Sequence, residues 1–215
     1  MAKKVGVLGS GVVGQALADG FLKHGYQVMR GSRDVTKLGV WMHGAGPHAS
    51  VGSFAEAARF GDLVVLAVKG GAAQAVVDQC DGHLAGKTVI DTTNPIADAP
   101  PENGVIKFFT SLDDSLMERL QRHLPNVHFV KAFSCVGNAF MVDPDFNGQK
   151  PTMFLCGNDA GAKSEVIAVL KEFGWEIEDM GAATAARAIE PLCMLWCIPG
   201  LTQKGWAHAF KLLRK

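Results

Sequence analysis

A glycine-rich turn near the amino terminus constrains the fold of this chain more than any other feature. The apolar strand pattern over Lys4 to Leu8 runs directly into Gly9-Ser10-Gly11-Val12-Val13-Gly14, and a helical pattern follows at once. In such a strand–turn–helix unit the first glycine permits the tight turn, the second admits a pyrophosphate to the backbone, and the third lets the helix pack on the strand. Free N–H groups at the helix start then face the phosphate charge. The turn therefore predicts a dinucleotide site formed by these six residues.

Apolar segments that favour β-strands recur along the chain, with helical patterns between them. Seven strands are predicted: KVGVLG, YQVMRG, DLVVLAV, KTVIDTT, VHFVKAF, TMFLCG and WEIEDMG. The first five alternate little between apolar and polar residues, as in parallel strands covered on both faces. Helices are predicted over residues 12–24, 35–43, 54–60, 71–80, 112–123, 160–173 and 184–198. The pattern predicts an α/β, Rossmann-like, doubly wound and mostly parallel sheet, extended by C-terminal strands, with helices on both faces.

The length of 215 residues suits one large α/β domain better than two average ones. We therefore expect a single nucleotide-binding domain over residues 1–215. Within it, residues 1–125 are expected to form the nucleotide-binding core, and residues 126–215 to extend the sheet and add closing helices.

Composition and charge argue against several classes of protein. With 21 basic and 21 acidic side chains the net charge is zero, so the chain lacks the positive charge typical of nucleic-acid binders. No apolar run reaches the length of about 18 residues expected of a membrane span, and the start MAKKVGVLGS lacks the pattern of a signal peptide. The five cysteines, an odd number in apolar surroundings, suit reduced thiols better than disulfides or a metal site. We expect a cytoplasmic protein that binds neither nucleic acid nor membrane.

The end of the second predicted strand carries Gly31-Ser32-Arg33, followed by Asp34 and Lys37. An NAD site usually has an acid at this point, which accepts hydrogen bonds from the ribose hydroxyls but would repel a 2′-phosphate. Ser32 can donate to a phosphate oxygen, Arg33 can bind it in fork geometry and stack on adenine, and Lys37 adds a second positive charge. Asp34 is interpreted as the cap of the following helix. The cluster predicts NADP(H) rather than NAD(H).

With these residues in place, the chain resembles the NADPH:coenzyme F420 oxidoreductases, and also the cytoplasmic nucleotide domain of the STEAP metalloreductases. Besides the glycine turn and Gly31-Ser32-Arg33 with Lys37, the likeness lies in Leu66-Ala67-Val68, Asp91-Thr92-Thr93-Asn94-Pro95, Lys131-Ala132-Phe133, Val136-Gly137, Ala186-Arg187, Glu190-Pro191-Leu192 and Met194-Leu195-Trp196. The resemblance implies an NADP-dependent oxidoreductase that transfers hydride between NADPH and a small-molecule acceptor, a flavin or the deazaflavin coenzyme F420.

The resemblance also implies which residues surround the reacting ring. Those expected beside the nicotinamide and its ribose, or at the floor beneath them, are Ala67, Val68, Lys69, Asn94, Pro95 and Ala132. The family often has Asn-Thr after Lys-Ala-Phe, where this chain has Ser134-Cys135. Because this departure lies near the expected acceptor, the identity of the acceptor stays open. The candidates for the substrate pocket are Ser134, Cys135, Met194 and Trp196.

The C-terminal motif also has a physical interpretation. Pro191 lies within a helical pattern and lacks the N–H that would pair with the Arg187 carbonyl, so a kink is expected there. Arg187 and Glu190 are three residues apart and are expected to pair on one helix face. The apolar residues of the motif suit a core position, a homodimer interface or an acceptor wall. The basic, amphipathic segment Gly200 to Lys215 is expected to cover a partner subunit or to pack on the surface.

No catalytic acid, base or metal ligand is predicted, because hydride transfer between stacked rings depends mainly on positioning. The loop Asn94 to Gly104 either covers the substrate or is a proline-stiffened surface loop. Two other functions stay open: an NADPH-dependent reductase of an imine, hydroxy acid or ferric chelate, and a non-catalytic NADPH-binding sensor. Imine and hydroxyacid reductases append a large helical domain, whereas strand patterns continue after Lys150, which favours the flavin or deazaflavin acceptor.

Overall fold

The computed structural model describes residues 3–80, 82–203 and 205–215, so Met1 and Ala2 of the start and Lys204 of the C-terminal segment lie outside the described residues. Among the described residues, eight strands form one sheet, in the order β3-β2-β1-β4-β5-β6-β7-β8. The strands are β1 (Lys4–Leu8), β2 (Gln27–Gly31), β3 (Ala49–Gly52), β4 (Leu63–Leu66), β5 (Thr88–Asp91), β6 (His128–Lys131), β7 (Thr152–Gly157) and β8 (Glu176–Asp179).

The direction of the strands confirms the predicted fold class. Strands β1 to β6 are parallel, β7 is antiparallel to β6, and β8 is parallel to β7. The chain winds from β1 outward to β3, crosses back to β4 beside β1, and continues outward in the other direction. The result is a doubly wound, mostly parallel sheet with two C-terminal strands added, in which the winding reverses between β1 and β4.

One strand, β3, is missing from the seven predicted from the sequence. Its sequence, Ala49-Ser50-Val51-Gly52, contains a single β-branched apolar residue, so its strand signal is weak. It forms because the edge of β2 offers backbone partners, with Val28 paired to Ala49 and Gly31 to Gly52.

The helices lie close to their predicted positions. They are α1 (Val12–Lys23), α2 (Gly39–Gly44), α3 (Phe54–Phe60), α4 (Ala73–Asp78), α5 (Leu116–His123), α6 (Ala160–Glu172) and α7 (Ala186–Gln203), and short 3-10 turns precede α2, α4 and α7. Helix α5 starts four residues later than predicted, because Ser115 and Glu118 form a reciprocal capping box. Helix α7 continues through Pro191 and Pro199. Among the described residues, no helix has the length and apolar character needed to cross a bilayer.

The helices cover both faces of the sheet. The core on one face is built from α1, α2 and α6, and that on the other from α3, α4, α5 and α7. Gly6 in the central strand β1 allows α3 to lie directly on the sheet, since a Cβ there would be 2.1 Å from the carbonyl oxygen of Ala57. This close packing fixes the distance between α3 and β1, the strand that leads into the glycine turn.

The C-terminal segment predicted over Gly200 to Lys215 is helical only as far as Gln203. Residues 205–215 form no helix. Trp206 and His208 pack on Trp196 of α7, and residues 210–214 lie along the last two strands. The N–H of Thr152 donates to the carbonyl of Phe210 at 2.9 Å, and Lys211 and Arg214 pair with acids of β8. The segment therefore packs on the surface of its own chain.

Candidate functional site

Two neighbouring cavities lie beyond the carboxyl ends of β1 and β4, where the winding of the sheet reverses. The first cavity, of about 410 Å³, is lined by Gly9, Ser10, Gly11, Ser32, Arg33, Asp34, Lys37, Phe54, Ala67, Val68, Lys69, Ala72, Ala75, Val76 and Gln79. The second cavity, of about 730 Å³, is lined by Gly11, Val12, Val13, Ala67, Val68, Lys69, Gly70, Gly71, Ala72, Thr92, Thr93, Asn94, Ile96, Ala97, Asp98 and Phe109. The two share the wall formed by Gly11, Ala67, Val68, Lys69 and Ala72.

The glycine turn has the geometry that a diphosphate requires. Gly9 has a φ of 151°, and a Cβ there would lie 2.1 Å from the Ala67 carbonyl oxygen. A Cβ on Gly14 would lie 2.7 Å from the Gly9 carbonyl oxygen, so this glycine serves the packing of α1 on the turn. At Gly11 a Cβ would meet no described atom within 4 Å, since this residue borders both cavities. The missing side chain thus leaves a cradle directly before the first N–H groups of α1.

Ser32 lies at the edge of the first cavity with its backbone and hydroxyl held in place. Its N–H donates to the carbonyl of Gly52 at 3.0 Å, and its Oγ accepts from the N–H of Asp34 at 3.1 Å. Because the hydroxyl oxygen acts as an acceptor in this contact, its proton remains available for a second partner. Ser32 can therefore donate a hydrogen bond to an anionic oxygen in the cavity.

The Asp34 carboxylate turns back on its own loop. Its Oδ1 accepts from Thr36 Oγ1 at 2.6 Å and from Thr36 N at 3.2 Å, and the Thr36 hydroxyl is the main cause that lowers the Asp34 pKa. Its predicted role as a cap, of the 3-10 turn before α2, is confirmed. The described residues that line the first cavity include three cations, Arg33, Lys37 and Lys69, and one acid, Asp34. The cavity is electrostatically suited to a phosphate group.

The turn after β5 forms one wall of the second cavity. Thr92 Oγ1 donates to the Leu66 carbonyl at 3.0 Å, and both the N–H and the hydroxyl of Thr93 donate to Asp91 Oδ1, at 2.9 and 2.6 Å. Asn94 Nδ2 donates to the carbonyl of Ser134 at 2.9 Å, while its buried Oδ1 has no hydrogen-bond partner among the described residues. Asn94 thus has one unsatisfied acceptor at the wall of the second cavity.

A buried cluster of charged side chains contacts the turn after β5 on the side away from the cavity. Lys131 Nζ lies 2.7 Å from Asp91 Oδ2 and 2.9 Å from Glu190 Oε1, and it donates to the Thr93 carbonyl at 2.7 Å. Burial lowers the pKa of Lys131, but the two carboxylates outweigh that effect and the pKa is raised. Glu190 also accepts from the first two N–H groups of α5, both at 3.0 Å. The extra negative charge is thereby placed at the positive end of a helix.

A hairpin over residues 95–109 forms the opposite wall. The N–H of Ala97 donates to the Lys107 carbonyl at 2.8 Å, and the N–H of Phe109 donates to the Pro95 carbonyl at 2.9 Å. Its tip is Asn103-Gly104, whose positive φ values of 51° and 81° fit the type I′ turn. The tip rests on the end of α7, since a Cβ on Gly104 would lie 2.4 Å from Thr202 Cγ2. The loop predicted over Asn94 to Gly104 therefore borders the second cavity.

Most of the predicted cofactor residues line the two cavities. Those that do so are Gly9, Ser10, Gly11, Val12, Val13, Ser32, Arg33, Lys37, Ala67, Val68, Lys69 and Asn94. Gly14, Pro95 and Ala132 are buried behind them and border neither cavity in the described part of the chain. The assignment of these residues to a cofactor stays a prediction.

None of the four predicted substrate-pocket residues, Ser134, Cys135, Met194 and Trp196, lines either cavity within the described ranges. The Trp196 ring packs against Trp206 and His208, and its Nε1 donates to the His208 carbonyl at 2.9 Å. Burial raises the pKa of Cys135 to about 12, so its thiol is neutral at pH 7. Ser134 contacts a lining residue of the second cavity, since its carbonyl accepts from Asn94 Nδ2.

The predicted pairing of Arg187 with Glu190 is wrong. Arg187 instead binds Glu118 of α5, with Nη2 2.8 Å and Nε 3.2 Å from Oε1. Helical spacing makes the two residues neighbours, but Lys131 lies on the buried side of α7 and attracts Glu190 there. Tertiary position therefore outweighs spacing along the helix.

Several lining residues were not predicted from the sequence. They are Phe54, Gly70, Gly71, Ala72, Ala75, Val76, Gln79, Thr92, Thr93, Ile96, Ala97, Asp98 and Phe109. The Asn103-Gly104 pair is a strong hairpin signal and would have placed the residues of the hairpin together. Within residues 3–80, 82–203 and 205–215, no three His, Cys, Asp or Glu residues are grouped so that they could hold a metal ion.

Several known proteins are similar to this chain in sequence. A family model described as NADP oxidoreductase, coenzyme F420-dependent, matches residues 4–95. The metalloreductase STEAP3 of Rattus norvegicus is 28% identical over 209 residues, covering 95% of this chain and 40% of that protein. The F420-dependent NADP reductase of Methanocaldococcus jannaschii is 30% identical over 141 residues, covering 65% of this chain and 62% of that protein. The chain thus spans less than two thirds of each of these curated relatives.

A solved structure matches the whole chain. It is the crystal structure of a protein from Arthrobacter sp. FB24 that carries the provisional name F420-dependent NADP-reductase. The identity is 31%, the TM-score is 0.91, and the match covers 100% of both chains. The chain therefore belongs to the family of coenzyme F420-dependent NADP oxidoreductases.

Proposed function

We propose that the chain binds NADP(H) across the two cavities and transfers a hydride between it and a flavin or deazaflavin acceptor. The observation that carries this proposal is the cluster of Ser32, Arg33 and Lys37 at the first cavity. In an NAD site a carboxylate would face the ribose there, whereas the carboxylate of Asp34 is bound to Thr36.

The residues present fit the parts of NADP(H). Ser32, Arg33 and Lys37 would hold the 2′-phosphate, and the cradle at Gly11 would admit the diphosphate to the start of α1. The unsatisfied Oδ1 of Asn94 is the kind of acceptor that a carboxamide NH₂ group pairs with, once the side chain turns it toward the second cavity. When bound, NADP(H) supplies or takes up the hydride. The chain's own groups bind and orient the reactants, which is most of what such a transfer requires.

The second cavity supports a flat, largely apolar acceptor. Its volume of about 730 Å³ falls within the range of roughly 300–1,000 Å³ usual for ligand sites. Val12, Ile96 and Phe109 offer apolar surface, and Lys69 and Asp98 are its only described residues with a formal charge. Stacked rings need such walls more than they need an acid or a base.

The cytoplasmic location and the homodimer predicted from the sequence stay predictions. The five cysteines are all unpaired, four of them buried, which agrees with a reducing compartment.

The preference for NADPH is tested by replacing Arg33 with Ala. The loss of its charge-assisted contacts is expected to weaken NADPH binding by about 1.5 to 3 kcal/mol and to leave NADH binding nearly unchanged. Titration calorimetry with both nucleotides measures this. Arg59→Ala, which removes an exposed cation that borders neither cavity, is the matched control. Equal affinity of the unaltered protein for NADPH and NADH would refute the proposed cofactor.

The acceptor is tested by following the absorbance of NADPH with the purified protein and, separately, FMN, FAD, coenzyme F420 and ferric chelates. Oxidation with a flavin or deazaflavin is expected. Oxidation with ferric chelates alone would assign a different acceptor, and no oxidation with any of them would favour an NADPH-binding sensor.

A further inference from the structure

Arg30 lies beneath the glycine turn, on the side away from the cavities. Only 1% of it is exposed. Its Nη2 donates to the carbonyl oxygens of Gly9 and Gly11, both at 3.2 Å. Its Cζ lies 4.8 Å from the centre of the Trp41 ring, which is itself held by a 2.6 Å hydrogen bond from Nε1 to Asp19. A buried guanidinium is thus fixed against the backbone of the turn.

Stability alone does not account for a cation at this position. Burial is the main cause that lowers the Arg30 pKa, an effect that Asp19 opposes, and an arginine nonetheless remains charged at neutral pH. Its Nε has no hydrogen-bond partner among the described residues. Burying a charge that is only partly paired is costly, and a hydrophobic side chain of similar size often stabilises a core more. The residue is better explained by what it does to the turn.

The Gly9 contact holds the direction of the peptide group that follows Gly9. The Gly11 contact supports a direction that α1 also sets, since the Gly11 carbonyl accepts from the N–H of Gln15 at 3.0 Å. In a planar trans peptide the C=O and the N–H point in opposite directions. Drawing the Gly9 carbonyl toward Arg30 therefore turns the N–H of Ser10 away from it, toward the first cavity, which Ser10 lines. The N–H of Val12, which lines the second cavity, is kept turned away from Arg30 by the Gly11 contact together with α1. The positive charge behind the turn also favours an anion in front of it.

We propose that Arg30 is a positioning residue for the diphosphate, which presents the N–H groups of the glycine turn and adds a buried positive charge behind them. This rests on the proposed binding of NADP(H). Its action is separate from that of Ser32, which is held by Gly52 and Asp34 independently of the turn. Arg30 should therefore affect ligands that carry a diphosphate and not those that carry only a 2′-phosphate.

The test compares NADPH with adenosine 2′-monophosphate, which has the 2′-phosphate and no diphosphate, by titration calorimetry. Arg30→Met is expected to bind NADPH about tenfold more weakly and adenosine 2′-monophosphate with unchanged affinity. Arg30→Lys keeps the charge and one donor, so an intermediate loss is expected for NADPH alone. If Arg30→Met does not fold, Arg30→Lys carries the same comparison.

Each other outcome overturns the inference. A parallel loss for both ligands would mean that Arg30 only supports the fold, and no loss for either would mean that the turn presents its N–H groups without it. Failure of the unaltered protein to bind NADPH would refute the proposed function, and the role of Arg30 with it.

Discussion

On the proposed function, Ser32 is the residue that decides between a phosphorylated and a free ribose. In a Ser32→Asp variant the carboxylate would repel a 2′-phosphate and accept hydrogen bonds from the ribose hydroxyls. We expect NADPH binding to weaken by about tenfold to a hundredfold, and NADH binding to strengthen. Dissociation constants for both nucleotides measure the change.

Ser32→Ala is the control, since it removes the hydroxyl without adding charge. A small loss for NADPH and no gain for NADH are expected. If Ser32→Asp leaves NADH binding as weak as in the unaltered protein, the side chain does not face the ribose.

Single residues differ in how far the sequence predicts them. Ser32, Arg33 and Lys37 were predicted to share a site and do line the first cavity, because they belong to a short local motif that follows a strand. Their role stays a prediction. Arg30 belongs to the same strand and was not assigned, because its partners are carbonyls of another segment that only the sheet register places beside it. Trp196 was found as a residue of a motif, yet its neighbours are set by the chain after α7.

Two helices of this chain begin with a capping box formed by a serine and a glutamate. In one of them, an arginine from another helix also binds the glutamate. Ser53 and Glu56 start α3, and Ser115 and Glu118 start α5, where Arg187 also binds the carboxylate. The Arg187 hydrogen bond is the main cause that lowers the Glu118 pKa. Glu118→Gln is therefore expected to cost about 1 to 3 kcal/mol in the free energy of unfolding at pH 7.

The cost should depend on pH in a defined direction. A carboxyl whose pKa is lower in the folded than in the unfolded state stabilises the fold above its unfolded pKa, and that contribution is lost as the pH falls through the folded pKa. The difference between the unaltered protein and Glu118→Gln should thus shrink on acidification below about pH 4.3, the ordinary glutamate value. Urea unfolding at a series of pH values measures it. Glu56→Gln is the matched control, and equal losses in the two variants would show that Arg187 adds nothing.

At the scale of elements, periodicity predicted every helix and all strands except β3. The bounds shifted where side chains decide them, as at Ser115, which delays the start of α5. The sequence predicts a loop over Asn94 to Gly104, whereas the structure has a hairpin over residues 95–109 whose ladder consists of only a few backbone pairs. Contacts between helices, such as Arg187 with Glu118, could not be predicted, since they depend on how the sheet brings α5 and α7 together.

At the scale of the whole molecule, the segment after α7 packs on α7 and on the last two strands. A Cβ on Gly200 would lie 2.3 to 2.4 Å from the ring of Trp206. Gly200→Ala is therefore expected to displace Trp206 and loosen residues 205–215, at a cost of about 1 to 3 kcal/mol. Limited proteolysis with trypsin, which cuts after Lys211 and Arg214, should become faster, and the tryptophan fluorescence should change.

Gly205→Ala is the control for this prediction, because a Cβ there would meet no described atom within 4 Å. It should leave both readouts as they are. Equal rates of cleavage in all three proteins would show that Trp206 does not fasten the segment.

The hairpin tip at Gly104 rests on Thr202, in the last turn of α7. This contact joins the hairpin, which lines the second cavity, to the last turn of α7. Helix ends open locally far more often than helix centres do, so we expect the frequency of this opening to limit how fast an acceptor enters and how fast its product departs. On the proposed function, we then expect product release rather than hydride transfer to be the slow step of the cycle.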